Sequence, residues 1–340
     1  MGPIRGPLGV WFPAIRTGTG TDVFTERVAA GLQARGIRSE IAWLPRRAEY
    51  APWSVLPPEM PEWATVVHAN SWLHPRLLPL SIPLVVTVHH AVHHPGADLF
   101  KTSAQRIYHR HWVATVERAM FWRAQVIVAV SAFAAQAIEP LTAGRPVRVV
   151  HNGVDTSLFH PAPSRERQPR ARNGIFQLLY VGKWSRAKGV DLFPAMMESL
   201  GDGFELACAG SSVEPKMLLS NMRVLGHLDQ DGVASAMRDA DAFVFPSRVE
   251  GFGMVTVEAM ASGLVPIVAR GCAAAEIIGD GRSGVLCEGD PDIFADAIRK
   301  VAADEFGRAR MAREARARVI EKFSVDRMIE RYLEIYSELG

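Results

Sequence analysis

Short apolar segments alternate with amphipathic helical ones twice along these 340 residues. That predicts an α/β protein of two Rossmann-like, doubly wound domains facing a central cleft. Three observations carry the prediction: the alternation, its restart near residue 165, and a length comfortable for two domains. In the first half, Leu8 to Phe12 reads as a strand. Thr21 to Arg35 has helical period, with Val23, Val28 and Leu32 on one face and Gly36 as its stop. Ser39 to Leu44, Thr65 to Ala69 and Pro83 to Thr87 read as strands. A long helix, Thr102 to Arg123, precedes the strands Val126 to Val130 and Pro146 to Val150. Ala162 to Asn173 has no apolar period and reads as a linker. The pattern then restarts with the strand Phe176 to Val181 and the helix Gly189 to Leu200. Phe204 to Ala209, Met222 to Leu225, Ala242 to Phe245 and Val265 to Val268 read as further strands. Pro45 to Glu62, rich in Pro and Trp, reads as a long functional or mobile loop.

Composition narrows the class. No apolar run approaches the roughly 20 residues that span a bilayer. Met1 to Val10 lacks the charged-then-apolar pattern of a signal peptide. Cys208, Cys272 and Cys287 have no metal-ligand spacing, which fits a reduced, cytosolic protein. Residues 1–160 hold 15 Lys+Arg against 10 Asp+Glu, while residues 161–340 hold 23 against 26. A surplus of five positive charges over 160 residues is too mild for a nucleic-acid binder.

The chemistry concentrates in the second half. Phe245-Pro-Ser-Arg-Val-Glu250-Gly251-Phe252-Gly253-Met254-Val255-Thr-Val-Glu258 runs from a strand end into a helix that starts near Gly253. The N–H groups of Gly253, Met254 and Val255 would lie unpaired at the positive end of that helix, a ready site for a diphosphate. Gly251 and Gly253 let the backbone approach an anion closely. Carboxylates beside such a site suit hydroxyls, Glu250 those of a sugar and Glu258 those of a ribose. Tyr180-Val-Gly182-Lys183-Trp-Ser-Arg186-Ala-Lys188-Gly189 also follows a strand. Two of the chain's six lysines, Lys183 and Lys188, fall in this loop, where lysine reads as a point charge for phosphate.

These residues resemble glycosyltransferase family 4, retaining enzymes of the GT-B fold that use nucleotide-sugar donors. The family's Glu-x7-Glu element matches Glu250 and Glu258. Its basic pair is commonly Arg then Lys; here Lys183 departs from it and Lys188 conforms. Further landmarks are Thr17-Gly-Thr-Gly20, Thr87-Val-His89, Val130-Ser131, Val150-His-Asn152-Gly-Val-Asp155 and Phe159-His-Pro161. Gly18-Thr-Gly20 fails as a dinucleotide fingerprint, because no acidic residue ends the second strand. As a donor-binding loop Gly20 is the closer match and Gly18 the looser one. The resemblance implies an acceptor-side domain over 1–160, a donor-binding domain over 161–324, and a last helix, 325–340, that returns to the first domain. It places His89 beside the transferred sugar, with His89, Lys188 and Glu250 as catalytic residues. It implies no cofactor or metal, and a UDP- or GDP-sugar donor whose base meets backbone near Gly226-His227-Leu228.

The run His89-His-Ala-Val-His93-His94 invites a zinc reading, but it leaves a strand rather than riding on a helix. The helix from Thr102 to Arg123 carries Arg106, Arg110, Arg118 and Arg123 among Tyr108, Trp112, Phe121 and Trp122. It reads as an ordinary amphipathic helix with its aromatics toward the core, or as a peripheral membrane contact for a lipid-linked acceptor. Two other classes are weighed. An epimerase would not need the Glu250–Glu258 element, and a non-catalytic nucleotide-sugar sensor would not need to keep His89, Lys188, Glu250 and Glu258 together.

Overall fold

The computed structural model describes residues 7–162, 174–210 and 217–339. Most of the linker read at Ala162 to Asn173 lies outside them. Over the described residues the chain divides into two compact units. One runs to Gly153 and includes the segment from Val325 onward; the other is Val154–Ser324. The division thus falls a few residues before the 160/161 boundary expected from sequence. Val154 pairs with Ser324 and donates its N–H to the Phe323 carbonyl, and the Leu158 and Phe159 carbonyls accept from Arg238 and Arg316. These bonds commit residues 154–160 to the second unit.

The first unit holds β1 (Gly9–Ile15), β2 (Arg38–Leu44), β3 (Val66–Asn70), β4 (Leu84–Val88), β5 (Val126–Ala129) and β6 (Val147–Val149), in the order β2-β1-β3-β4-β5-β6. All pairings are parallel, as βαβ crossovers require. The strand period of two sorts β1 between two cores. Val10 and Phe12 join Phe24, Val28 and Leu32 of the helix Gly20–Gln33. Trp11 and Ile15 face Met120 and Phe121. The last helix, Val325–Ser337, closes the first of these cores with Met328, Ile329, Tyr332, Ile335 and Tyr336.

Two expectations change here. The helix read as Thr102 to Arg123 has a wide π-turn, His109–Val113, between Ser103–Tyr108 and Ala114–Arg123. Its aromatics split: Phe121 is buried, Tyr108 and Trp112 bond Glu49, and Trp122 is 86% exposed. The loop Pro45 to Glu62 is not loose. It forms the helix Arg47–Tyr50 and the turn Pro52–Ser54, and it buries Ala48, Pro52 and Val55. Its apolar residues at short spacing dock on the core without needing long periodic elements.

The second unit holds β7 (Phe176–Val181), β8 (Phe204–Ala209), β9 (Met222–Gly226), β10 (Ala242–Phe245), β11 (Val265–Ala269) and β12 (Val285–Cys287), in the order β12-β11-β10-β7-β8-β9. Sequence reading had no counterpart to β12, a short strand at the edge of this sheet. In each sheet the order reverses once, at β1/β3 and at β7/β10. Open parallel sheets bind ligands beyond the strand C-termini at such a reversal.

Candidate active site

At the β7/β10 reversal the two predicted loops meet. The loop after β7 contains a 3-10 turn, Arg186–Lys188, ended by Gly189 at φ +73°. A Cβ on Gly189 would stand 2.0 Å from the Pro246 carbonyl oxygen, so only glycine lets this loop lie against the one after β10. Arg248 ties them together. Its guanidinium takes both Asp191 carboxylate oxygens at 2.6 and 3.0 Å and the Arg186 carbonyl at 2.7 Å, and its N–H donates to the Ala187 carbonyl. Burial opposes the Asp191 charge, but these bonds and the Arg248 charge hold its carboxyl below the usual range.

This clamp brings Lys188 and Glu250 into direct contact as a half-buried ion pair, with the Lys188 ammonium 5.6 Å from the Phe245 ring centre. Gly253 caps the helix Met254–Ala261 at φ +97°, and the Glu250 Cγ lies 3.5 Å from where its Cβ would be. The N–H groups of Gly253, Met254 and Val255 have no acceptor among the described residues. The helix buries every side but one, which carries Met254, Val255 and Glu258. So Lys188, Glu250, the helix start and Glu258 share one end of one unit. Gly251 and Phe252 are buried beneath them, with Phe252 against Phe323. Lys183 is exposed, and the Tyr180 hydroxyl holds its carbonyl at 2.9 Å. Asp191 and Arg248 escaped sequence reading, since the clamp forms only when the two loops fold together.

In the first unit the reversal point lies between the ends of β1 and β3. Asp22 takes the N–H groups of Thr17 and Gly18 at 2.8–3.1 Å and the Thr17 hydroxyl at 2.7 Å. The Gly18 amide is therefore committed to a carboxylate in the first turn of the helix that follows, while the Cβ position of Gly20 meets nothing within 4 Å. His89 follows β4, half-buried, with Nε2 2.9 Å from Asn70 Oδ1. Burial first, then His68 and His90, lower its pKa to about 3, so it is neutral. His90 and His93 do not gather around a metal position; both turn to Glu117, at 3.3 and 2.6 Å. That fully buried carboxylate also accepts from Ser71 at 2.5 Å. Burial opposes its charge, but the two imidazoles keep its pKa far below normal.

Two parallel doubly wound units, one with a lysine-and-glutamate site at its reversal point, define a glycosyltransferase of the GT-B fold. Residues 22–158 match Glycosyltransferase Family 4 and residues 164–318 match Glycosyl transferases group 1. The chain is 33% identical over 311 residues to D-inositol 3-phosphate glycosyltransferase 1 of Catenulispora acidiphila, covering 80% of this chain and 71% of that one. It belongs to glycosyltransferase family 4 and is a hexosyltransferase. Among solved structures, sucrose-phosphate synthase from Thermosynechococcus elongatus superposes with a TM-score of 0.79 at 17% identity, covering 98% of this chain and 99% of that one. HepE of Anabaena, solved in complex with UDP-glucose, gives 0.72 at 18%, covering 98% and 100%.

Proposed function

We propose that this enzyme moves a hexose, with retention, from a UDP- or GDP-linked donor to a hydroxyl of a glycan or lipid-linked acceptor. The observation that carries this is the convergence of Lys188, Glu250, Glu258 and three acceptor-less N–H groups at one end of the second unit. Lys188 and the helix start take the diphosphate, Glu258 a ribose hydroxyl, and Glu250 a sugar hydroxyl. Lys183 and Gly20 stand as further donor contacts. Charge on the leaving diphosphate is offset by Lys188 and the helix start, so no metal is required. The acceptor oxygen bonds to the anomeric carbon as the bond from that carbon to the phosphate oxygen breaks. The leaving diphosphate takes the acceptor's proton. His89 hydrogen-bonds a hydroxyl of the transferred sugar. The solved complex of HepE with UDP-glucose supports the donor class.

The acceptor is met at the cytoplasmic face of a membrane. The exposed side of Ser103–Arg123 shows Arg106, Arg110 and Arg118 beside Ile107 and Trp122, and the one acid of that stretch, Glu117, is buried. No helix among the described residues is long and apolar enough to cross a membrane. A thermal-shift and turnover screen of UDP- and GDP-sugars, with and without EDTA, tests the donor and the metal together. A true donor at 100 times its Kd adds about 2.7 kcal/mol of stability. No shift with any donor, or activity lost in EDTA, overturns the corresponding part.

A further inference from the structure

Asn70 ends β3 and His89 follows β4, so the parallel register sets them side by side at the C-terminal edge of the first sheet. Asn70 is buried, and its carbonyl accepts from the Leu73 N–H at 3.1 Å. Its side-chain Oδ1 lies 2.9 Å from His89 Nε2. An amide oxygen only accepts, so Nε2 is the ring nitrogen that carries the proton. A neutral imidazole has one N–H, and the Nδ1 lone pair is then free to accept. Nδ1 has no hydrogen-bond partner among the described residues and is not shut away from solvent. The ring is held in place by Phe24, edge-on at 4.4 Å between centres, and by Trp72 at 6.0 Å.

We infer that Asn70 is a positioning residue that fixes the tautomer of His89, so that His89 accepts a hydrogen bond at Nδ1 from a sugar hydroxyl instead of donating one. This rests on the proposed contact between His89 and the transferred sugar. The titratable groups facing the ring are His68 of β3 and His90 of its own turn. The nearby carboxylate, Glu117, is taken up by His90 and His93. His89 therefore keeps its neutral form, and tautomer rather than charge decides what it can bind. An accepting nitrogen selects a hydroxyl. A deoxy sugar at that carbon leaves Nδ1 unpaired, and a carboxylate there sets lone pair against lone pair. Sites built around such a bond reject analogues that lack it strongly. The substrate class is thus a hexose with a free hydroxyl at the His89 position, in preference to its deoxy or uronic-acid counterpart.

The test begins without substrate. A two-bond 1H–15N imidazole correlation spectrum of the labelled full chain should show His89 as the Nε2–H tautomer, without titration between about pH 5 and 9. Asn70→Leu should mix the tautomers and lower kcat about tenfold, with donor KM unchanged. Asn70→Leu with His89→Ala should be no slower than His89→Ala alone. Asn70→Asp keeps an acceptor at Nε2 but stabilises the imidazolium, so His89 should titrate and turnover should fall as pH drops through its new pKa. An Nδ1–H tautomer in the wild-type chain overturns the inference whatever the activity. So does a wild-type pH profile in Asn70→Asp. An Nε2–H tautomer in a chain whose His89→Ala variant is fully active overturns the contact between His89 and the sugar instead.

Discussion

Lys188 and Glu250 stand 62 positions apart in sequence and touch in the fold. The contact sharpens what single substitutions should do. Lys188→Ala should weaken donor binding and turnover at least tenfold, since charge-assisted bonds contribute about 1.5–3 kcal/mol. Arg186→Ala should change little, because that side chain is exposed and only its carbonyl is used by Arg248. Equal losses in the two variants would move the phosphate site elsewhere. The two glutamates should separate under calorimetry with UDP and GDP. Glu258→Gln should weaken the nucleoside diphosphate as well as the intact donor. Glu250→Gln should bind the nucleoside diphosphate no more weakly than wild type, because it releases Lys188 from its ion pair, while turnover falls. If Glu250→Gln loses nucleoside diphosphate as badly as Glu258→Gln, the two ends of the donor are assigned the wrong way round.

Among the elements, a close approach joins the helices Gly20–Gln33 and Val325–Ser337. A Cβ on Gly31 would meet Ile329 Cγ1 at 2.6 Å. Alanine is the better helix former by about 1 kcal/mol, but here packing outweighs propensity. Gly31→Ala should destabilise the protein by about 1–3 kcal/mol, the usual cost of overpacking, and Ile329→Ala in the same chain should recover part of it. Urea melts of the single and double variants check this, and a more stable Gly31→Ala would refute the close approach. The Arg248 clamp makes a second case. Arg248→Ala should raise the donor KM without Arg248 touching donor, because it frees the two loops that hold Lys188 and Glu250. Arg248→Lys should not restore it, since an ammonium cannot span both Asp191 oxygens. Full rescue by lysine would mean that charge alone holds the loops.

For the whole molecule, the buried His68 and the half-buried His89 set a pH limit. His68 bonds Tyr336 and Thr87 at 2.6 and 2.7 Å, and burial lowers its pKa to about 3, as for His89. Their unfolded pKa is about 6.5, so below it the unfolded chain binds protons that the folded chain refuses. Stability should therefore be intact above about pH 6.5 and decline steadily toward pH 3. His68→Gln should show a lower Tm at neutral pH and a shallower fall on acidification. A slope unchanged by that substitution would assign the acid loss to other groups. Tyr332 and Tyr336 bring the chain's end into this same network, so the last helix is part of the first unit's core rather than a tail on it.

By itself the sequence determined the fold class and nearly every strand, and it singled out the residues proposed for the donor site. Period-two and helical patterns are local, and Glu250, Gly253 and Glu258 lie on one continuous strand–turn–helix. Lys188 was legible because lysine is rare in a chain with 32 Arg. Only tertiary structure decided which partners those residues meet. The Arg248–Asp191 clamp, the pairing of His90 and His93 with Glu117, and Asn70 beside His89 each join residues of different elements that are far apart in sequence. Hydrogen bonds of that kind leave no periodic trace in sequence. Strand order chooses them, and strand order is set by how the apolar faces of the whole chain pack together.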